Sequence, residues 1–175
     1  MKPLMHVLLI GLVLTVKAFA QNTNKPVKIS KKWLGGLKGY NEAVDIQKQT
    51  GADMMVYFAD YGPNSQKGLC NWWEQRGIDS GPVKKVLDDF VKVKIELPLN
   101  SREEEAFSEF RFNKAPAVYV VRPDSANFPS RVNVFDWEAK KPKLKDPEEL
   151  AELIRSKSSA AAQISDTNEN EEGGP

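Results

Sequence analysis

Hydrophobic and polar positions change period several times along the chain, and each change predicts an element. Met54 to Ala59 is continuously apolar and rich in β-formers. Such a run suits a central strand covered on both faces. Val91 to Leu97 alternates instead, with Val91, Val93, Ile95 and Leu97 interleaved with Lys92, Lys94 and Glu96. A period of two predicts a strand with one covered face. Ala117–Val121 and Arg131–Phe135 read as two more strands, close enough in sequence to pair antiparallel. Leu34-Gly35-Gly36-Leu37 reads as a bend before a helix over Tyr40–Gln49, which Gly51 stops. Leu69–Arg76 reads as helical, Gly77–Pro82 as a break, and Val83–Phe90 as a second helical stretch. Ser101 is the expected N-cap of a helix running to about Phe110, with Glu104 completing a capping box. Asp146-Pro147-Glu148-Glu149 opens a final helix with Leu150, Leu153 and Ile154 on one face.

The order is helix, strand, loop, helix, strand, helix, proline loop, two strands, helix. Strands joined by helical crossovers run parallel, whereas the late pair is antiparallel. An α/β fold follows, a central mixed sheet flanked by helices. At 175 residues the chain holds one such domain. The expected boundaries are a signal peptide over 1–20, a flexible lead-in over 21–29, the domain over 30–157 and a disordered acidic tail over 158–175.

The signal peptide rests on Met1-Lys2, a mainly apolar stretch from Leu4 to Val16, and Ala18-Phe19-Ala20 as a small-x-small cleavage site. The apolar stretch falls short of the roughly 20 residues that cross a bilayer, and Lys17 interrupts its end. An exported chain, periplasmic or secreted, with no stable membrane insertion after cleavage is therefore expected.

Cleavage changes the chemistry on offer. Lys2 and Lys17 leave, so 25 basic residues against 24 acidic ones become 23 against 24, and the net charge moves from +1 to −1. No basic field remains to draw nucleic acid. His6 is the only histidine and leaves as well. Without histidine no Ser-His-Asp or Cys-His nucleophile can form, and a lone Cys70 gives neither a zinc or copper site nor an internal disulfide. No cofactor and no metal is expected.

Four local features carry a resemblance. Val56-Tyr57-Phe58-Ala59-Asp60-Tyr61 is a strand running into a loop, and Cys70 opens a helix just after it. Val83 to Leu87, Phe90 and the strand from Val91 follow in order, and then Ala115-Pro116-Ala117. Together they resemble the thioredoxin-like superfamily, and Cys70 to Ile95 is most similar to the domains of exported thiol:disulfide interchange proteins. The resemblance covers about residues 30–157. It implies a thioredoxin-like fold, a cis bond at Ala115-Pro116, and a peptide-binding edge beside Pro116 that needs no cysteine. It also implies a degenerate redox motif. Aligned on the helix, Cys70 takes the resolving position of Cys-x-x-Cys and Lys67 the nucleophile position, while Val56 stands where many relatives keep a buried acid.

Dithiol exchange needs an attacking thiolate and a second thiol to resolve the mixed disulfide. One sulfur can enter such a disulfide but cannot release itself, so no dithiol oxidoreductase activity is expected. Cys70 is the single catalytic candidate. It reads either as a thiolate favoured by Lys67 and the helix start or as a buried, inert residue, and the apolar Leu69 and Trp72-Trp73 favour the second. Trp72 and Trp73 are adjacent and point in different directions, so one belongs to the core, and the other either forms a contact surface by the Asp60–Gly68 loop or is packed as well. The binding candidates are Tyr61, Lys67, Trp72, Trp73, Ala115 and Pro116. Two functions follow: a non-catalytic module that binds a peptide or protein partner, or a monothiol redox protein using Cys70 with an external thiol.

Overall fold

The computed structural model of the chain describes residues 27–63, 65–124 and 128–159. The expected signal peptide and residues 160–175 lie outside the described residues. Strand β1 (Leu34–Gly35) leads directly into helix α1 (Gly36–Thr50). The Leu34–Leu37 segment is therefore an edge strand and a helix start rather than a bend, because Leu34 and Gly35 pair with Val93 and Lys94. Helix α1 ends where Gly51 takes a left-handed φ of 69° and its N–H bonds the Gln47 carbonyl at 2.8 Å, a conformation that glycine adopts without steric cost. Strand β2 (Met54–Asp60) follows, then helix α2 (Lys67–Trp72), which widens into a π-helical turn over Trp73–Ile78. Helix α3 (Gly81–Leu87), strand β3 (Val91–Leu97) and helix α4 (Ser101–Ala106) come next. Strands β4 (Ala117–Val121) and β5 (Ser130–Val132), a hairpin of β6 (Phe135–Glu138) and β7 (Lys141–Leu144), and helix α5 (Pro147–Arg155) complete the domain.

The main sheet has the order β1-β3-β2-β4-β5. Strand β2 runs parallel to β3 and antiparallel to β4, the mixed α/β sheet expected. Its residues Met54 to Ala59 are fully buried and divide between two cores. Met54, Val56 and Phe58 face α1 and an aromatic cluster with Phe107, Phe110 and Tyr119. Met55, Tyr57 and Ala59 face Cys70, Trp73 and the apolar sides of α3 and α5. Burying each large side chain contributes roughly 1.5–3 kcal/mol, so a strand apolar on both faces anchors the sheet.

Several expectations shift. Strand β3 is covered on both faces at its start: Lys92 is buried, and its ammonium donates to the carbonyls of Leu87 (3.0 Å), Ser30 (3.3 Å) and Phe90 (3.4 Å). Burial lowers the Lys92 pKa, and the carbonyls it bonds include that of Leu87, the last residue of α3. Helix α2 continues through Gly77 to Ile78. The cap of α4 is Asn100, whose side chain accepts from the Arg102 and Glu103 N–H groups while Glu103 accepts from the Asn100 N–H at 3.1 Å. The capping box thus sits one residue before Ser101 and Glu104, and α4 stops at Ala106. The pairing of Ala117–Val121 with Arg131–Phe135 is shorter than expected, because β5 ends at Val132. The Val134 carbonyl accepts from the Lys145 N–H at 3.1 Å, which draws the chain out of the sheet and into the hairpin. At the ends, Ile29 packs on the aromatic core, so it is not part of a free lead-in. Ser158 is buried, and Ser159 bonds the Asp53 carboxylate through its N–H (2.9 Å) and hydroxyl (2.7 Å), which moves the end of the packed domain past 157.

Candidate functional site

The redox position lies where β2 hands the chain to α2. The Ser65 N–H and hydroxyl both bond the Gly62 carbonyl. This turn folds the loop back so that Cys70 sits one turn into α2, under the end of β2. Cys70 has no exposed surface. Its Sγ accepts the Asp60 N–H at 3.5 Å. Burial pushes the thiol pKa up, more than that N–H pulls it down. A neutral, enclosed thiol is a poor nucleophile.

Two buried side chains beside this thiol carry unpartnered donors. The Tyr57 hydroxyl and the Trp73 Nε1 are both buried and meet no hydrogen-bond partner among the described residues. Desolvation drives the Tyr57 pKa far above its ordinary value, and the nearby Cys70 and Glu74 push the same way. The strand's parity makes Tyr57 the β2 residue facing Cys70, while Val56 faces the opposite core. The acid of this region comes from the helix. Glu74 accepts a hydrogen bond from the Tyr61 hydroxyl and pairs with the Lys94 ammonium at 2.9 Å. Lys94 also lies 4.8 Å above the Tyr61 ring. Burial of Glu74 favours its neutral form, but Tyr61 and Lys94 outweigh it and lower its pKa. Lys94 is held charged by the same partners against its own burial.

The sequence candidates separate in space. Tyr61 belongs to the Glu74–Lys94 cluster. Lys67 is exposed at the first position of α2. Trp73 is fully buried, with its ring across Gly77. Trp72 is half-buried and packs on Phe135 of the hairpin, ring centres 5.8 Å apart. Ala115 and Pro116 line a cleft of about 190 Å³ together with Gln66 and Leu69 of the α2 start, Arg131, and Phe135 and Trp137 of the hairpin. The Ala115–Pro116 bond is cis, as is Leu97–Pro98.

Three residues of this region escape a reading of the sequence. Trp137, 60% exposed, is on a hairpin that was not expected. Glu74 follows Cys70 by four positions, one helical turn, which is the signal that it faces the same side. Lys94 sits on the polar phase of β3. Among the described residues, no group of three His, Cys, Asp or Glu side chains is placed to hold a metal, and no helix is long and apolar enough to cross a membrane.

No family model matches the chain, and no curated protein sequence does. Solved structures do. The C-terminal domain of DsbD from Neisseria meningitidis in its oxidised form gives a TM-score of 0.50 at 16% identity, over 72% of this chain and 99% of that one. Its reduced form gives 0.48 at 15% identity, over 70% and 98%. A thioredoxin from Thermus thermophilus gives 0.42 at 14% identity, over 71% and 85%. At these identities the likeness concerns the fold, and the first match carries it. The chain has the thioredoxin-like fold, and a single cysteine stands at the start of its α2 helix.

Proposed function

We propose that this protein is an exported, non-catalytic binding module that holds an extended peptide or a segment of a partner protein in the cleft beside Pro116. The observation that carries the reading is a contrast within one helix turn. Cys70 is sealed, while Leu69, its neighbour, opens onto a cleft flanked by the exposed indole of Trp137. An exposed aromatic beside a concave surface is the usual anchor of a protein contact. The cleft is lined by two cations, Lys114 and Arg131, and by no carboxylate, which favours partners with acidic residues. Export rests on the signal-like N-terminus. The other reading, monothiol exchange through Cys70 with an external thiol, requires the sulfur to reach solvent.

Fluorescence anisotropy with a labelled, carboxymethylated and permanently unfolded polypeptide tests the proposal. Trp137→Ala should weaken binding about tenfold, while Cys70→Ser should leave it within about twofold, since no contact of the cleft involves the sulfur. Binding lost in Cys70→Ser with the fold intact would overturn the proposal in favour of the monothiol reading. Binding unchanged in Trp137→Ala would remove the cleft from it.

A further inference from the structure

We propose that a second cavity, between the ends of β2 and β3 and helix α4, binds a small organic ammonium compound through its apolar part. The cavity is an open cleft of about 470 Å³, within the roughly 300–1,000 Å³ of small-molecule sites. Phe107, Phe110 and Phe112 line it, with Leu97 and Leu99. Phe107 and Phe110 are 2% and 3% exposed, and the Phe58 ring backs them at 5.6 and 5.3 Å. This packed aromatic floor cannot slide in to close the cavity.

Charge selects the occupant. The titratable groups lining the cavity are Asp60 and Glu104, with no lysine or arginine among them. Neither carboxylate enters an ion pair among the described residues. Asp60 is oriented by the Gly62 N–H, which Oδ1 accepts at 2.9 Å. A ring or branched chain on the phenylalanine floor therefore has two carboxylates, and no cation, among the groups that line its site. Ring faces add attraction for a cation, and an anion of the same shape is repelled. The cavity shares no lining residue with the Pro116 cleft, so its occupancy stands apart from the peptide reading.

Isothermal titration of the purified protein with three probes of matched shape tests this: phenethylammonium, 2-phenylethanol and phenylacetate. The ammonium probe should bind about tenfold more tightly than the alcohol, and phenylacetate more weakly than either. Glu104→Gln should weaken the ammonium probe about two- to fivefold and leave the alcohol unchanged. Because Glu104 is exposed, this variant keeps its fold. Equal affinities for the three probes would overturn the proposal. So would an ammonium affinity unaltered by Glu104→Gln, or no saturable binding up to about 10 mM.

Discussion

Phenylalanine substitutions at Tyr57 and Tyr119, two buried tyrosines on neighbouring strands, should move stability in opposite directions. Both are 2% exposed or less. The Tyr119 hydroxyl donates to the Arg111 carbonyl at 2.9 Å, whereas the Tyr57 hydroxyl, with Cys70, Tyr61 and Glu74 as its polar neighbours, meets none of the described residues at hydrogen-bond geometry. A typical hydrogen bond contributes about 0.5–1.5 kcal/mol net, while a desolvated, unpartnered polar group costs about 1–3 kcal/mol. Tyr119→Phe should therefore lose about 1 kcal/mol. Tyr57→Phe should be neutral or gain about 1 kcal/mol, since the ring and its edge contact with Trp33 remain. Urea unfolding followed by tryptophan fluorescence measures both. With a slope of about 1–3 kcal/mol per molar urea, the two midpoints should separate by roughly 0.3–2 M. A Tyr57→Phe variant as destabilised as Tyr119→Phe would refute this reasoning, because it would mean that the hydroxyl is satisfied and holds the Cys70 region together.

Two further substitutions probe the same helix. At Gly77 an added Cβ would lie 2.0 Å from Cε3 of the buried Trp73 ring. Gly77→Ala should therefore cost about 2 kcal/mol despite alanine's helix preference of about 1 kcal/mol, and an unchanged or raised melting temperature would contradict the packing. Glu74 has a carboxyl pKa below its ordinary value of 4.5, so its contribution is present above that value and fades as pH falls through the lowered folded value. Glu74→Gln should lose less stability than the parent protein between pH 5 and 3, read as the urea midpoint, and identical pH profiles would show that the Tyr61–Glu74–Lys94 cluster does not couple to folding.

The parts of the fold legible in the sequence are those where one physical signal dominates. Strand β2 announces itself because both its faces are buried, and α5 because Leu150 and Ile154 return at helical spacing. The α4 cap is ambiguous since Asn100 with Glu103 and Ser101 with Glu104 are overlapping boxes, and backbone geometry chooses the first. The hairpin is hidden because Ala139 and Lys140, not glycine or asparagine, adopt the left-handed φ values of 47° and 66° at its turn. Trp137, which the hairpin brings to the Pro116 cleft, is hidden with it. The role of Pro116 is implied by the family resemblance, since periodicity carries no signal for a proline loop. Strand parity turns Tyr57, not Val56, toward Cys70, which the continuous apolar run of β2 does not reveal.

Reaction of Cys70 with a chromogenic disulfide reagent, in buffer and in denaturing urea, addresses most directly whether the chain works through a sulfur or through a surface. A sealed thiol should react in buffer no faster than the domain opens, and one equivalent should react at once in urea. Rapid stoichiometric reaction in buffer, with tryptophan fluorescence showing the fold intact, would contradict a non-catalytic module and make Cys70 the working group.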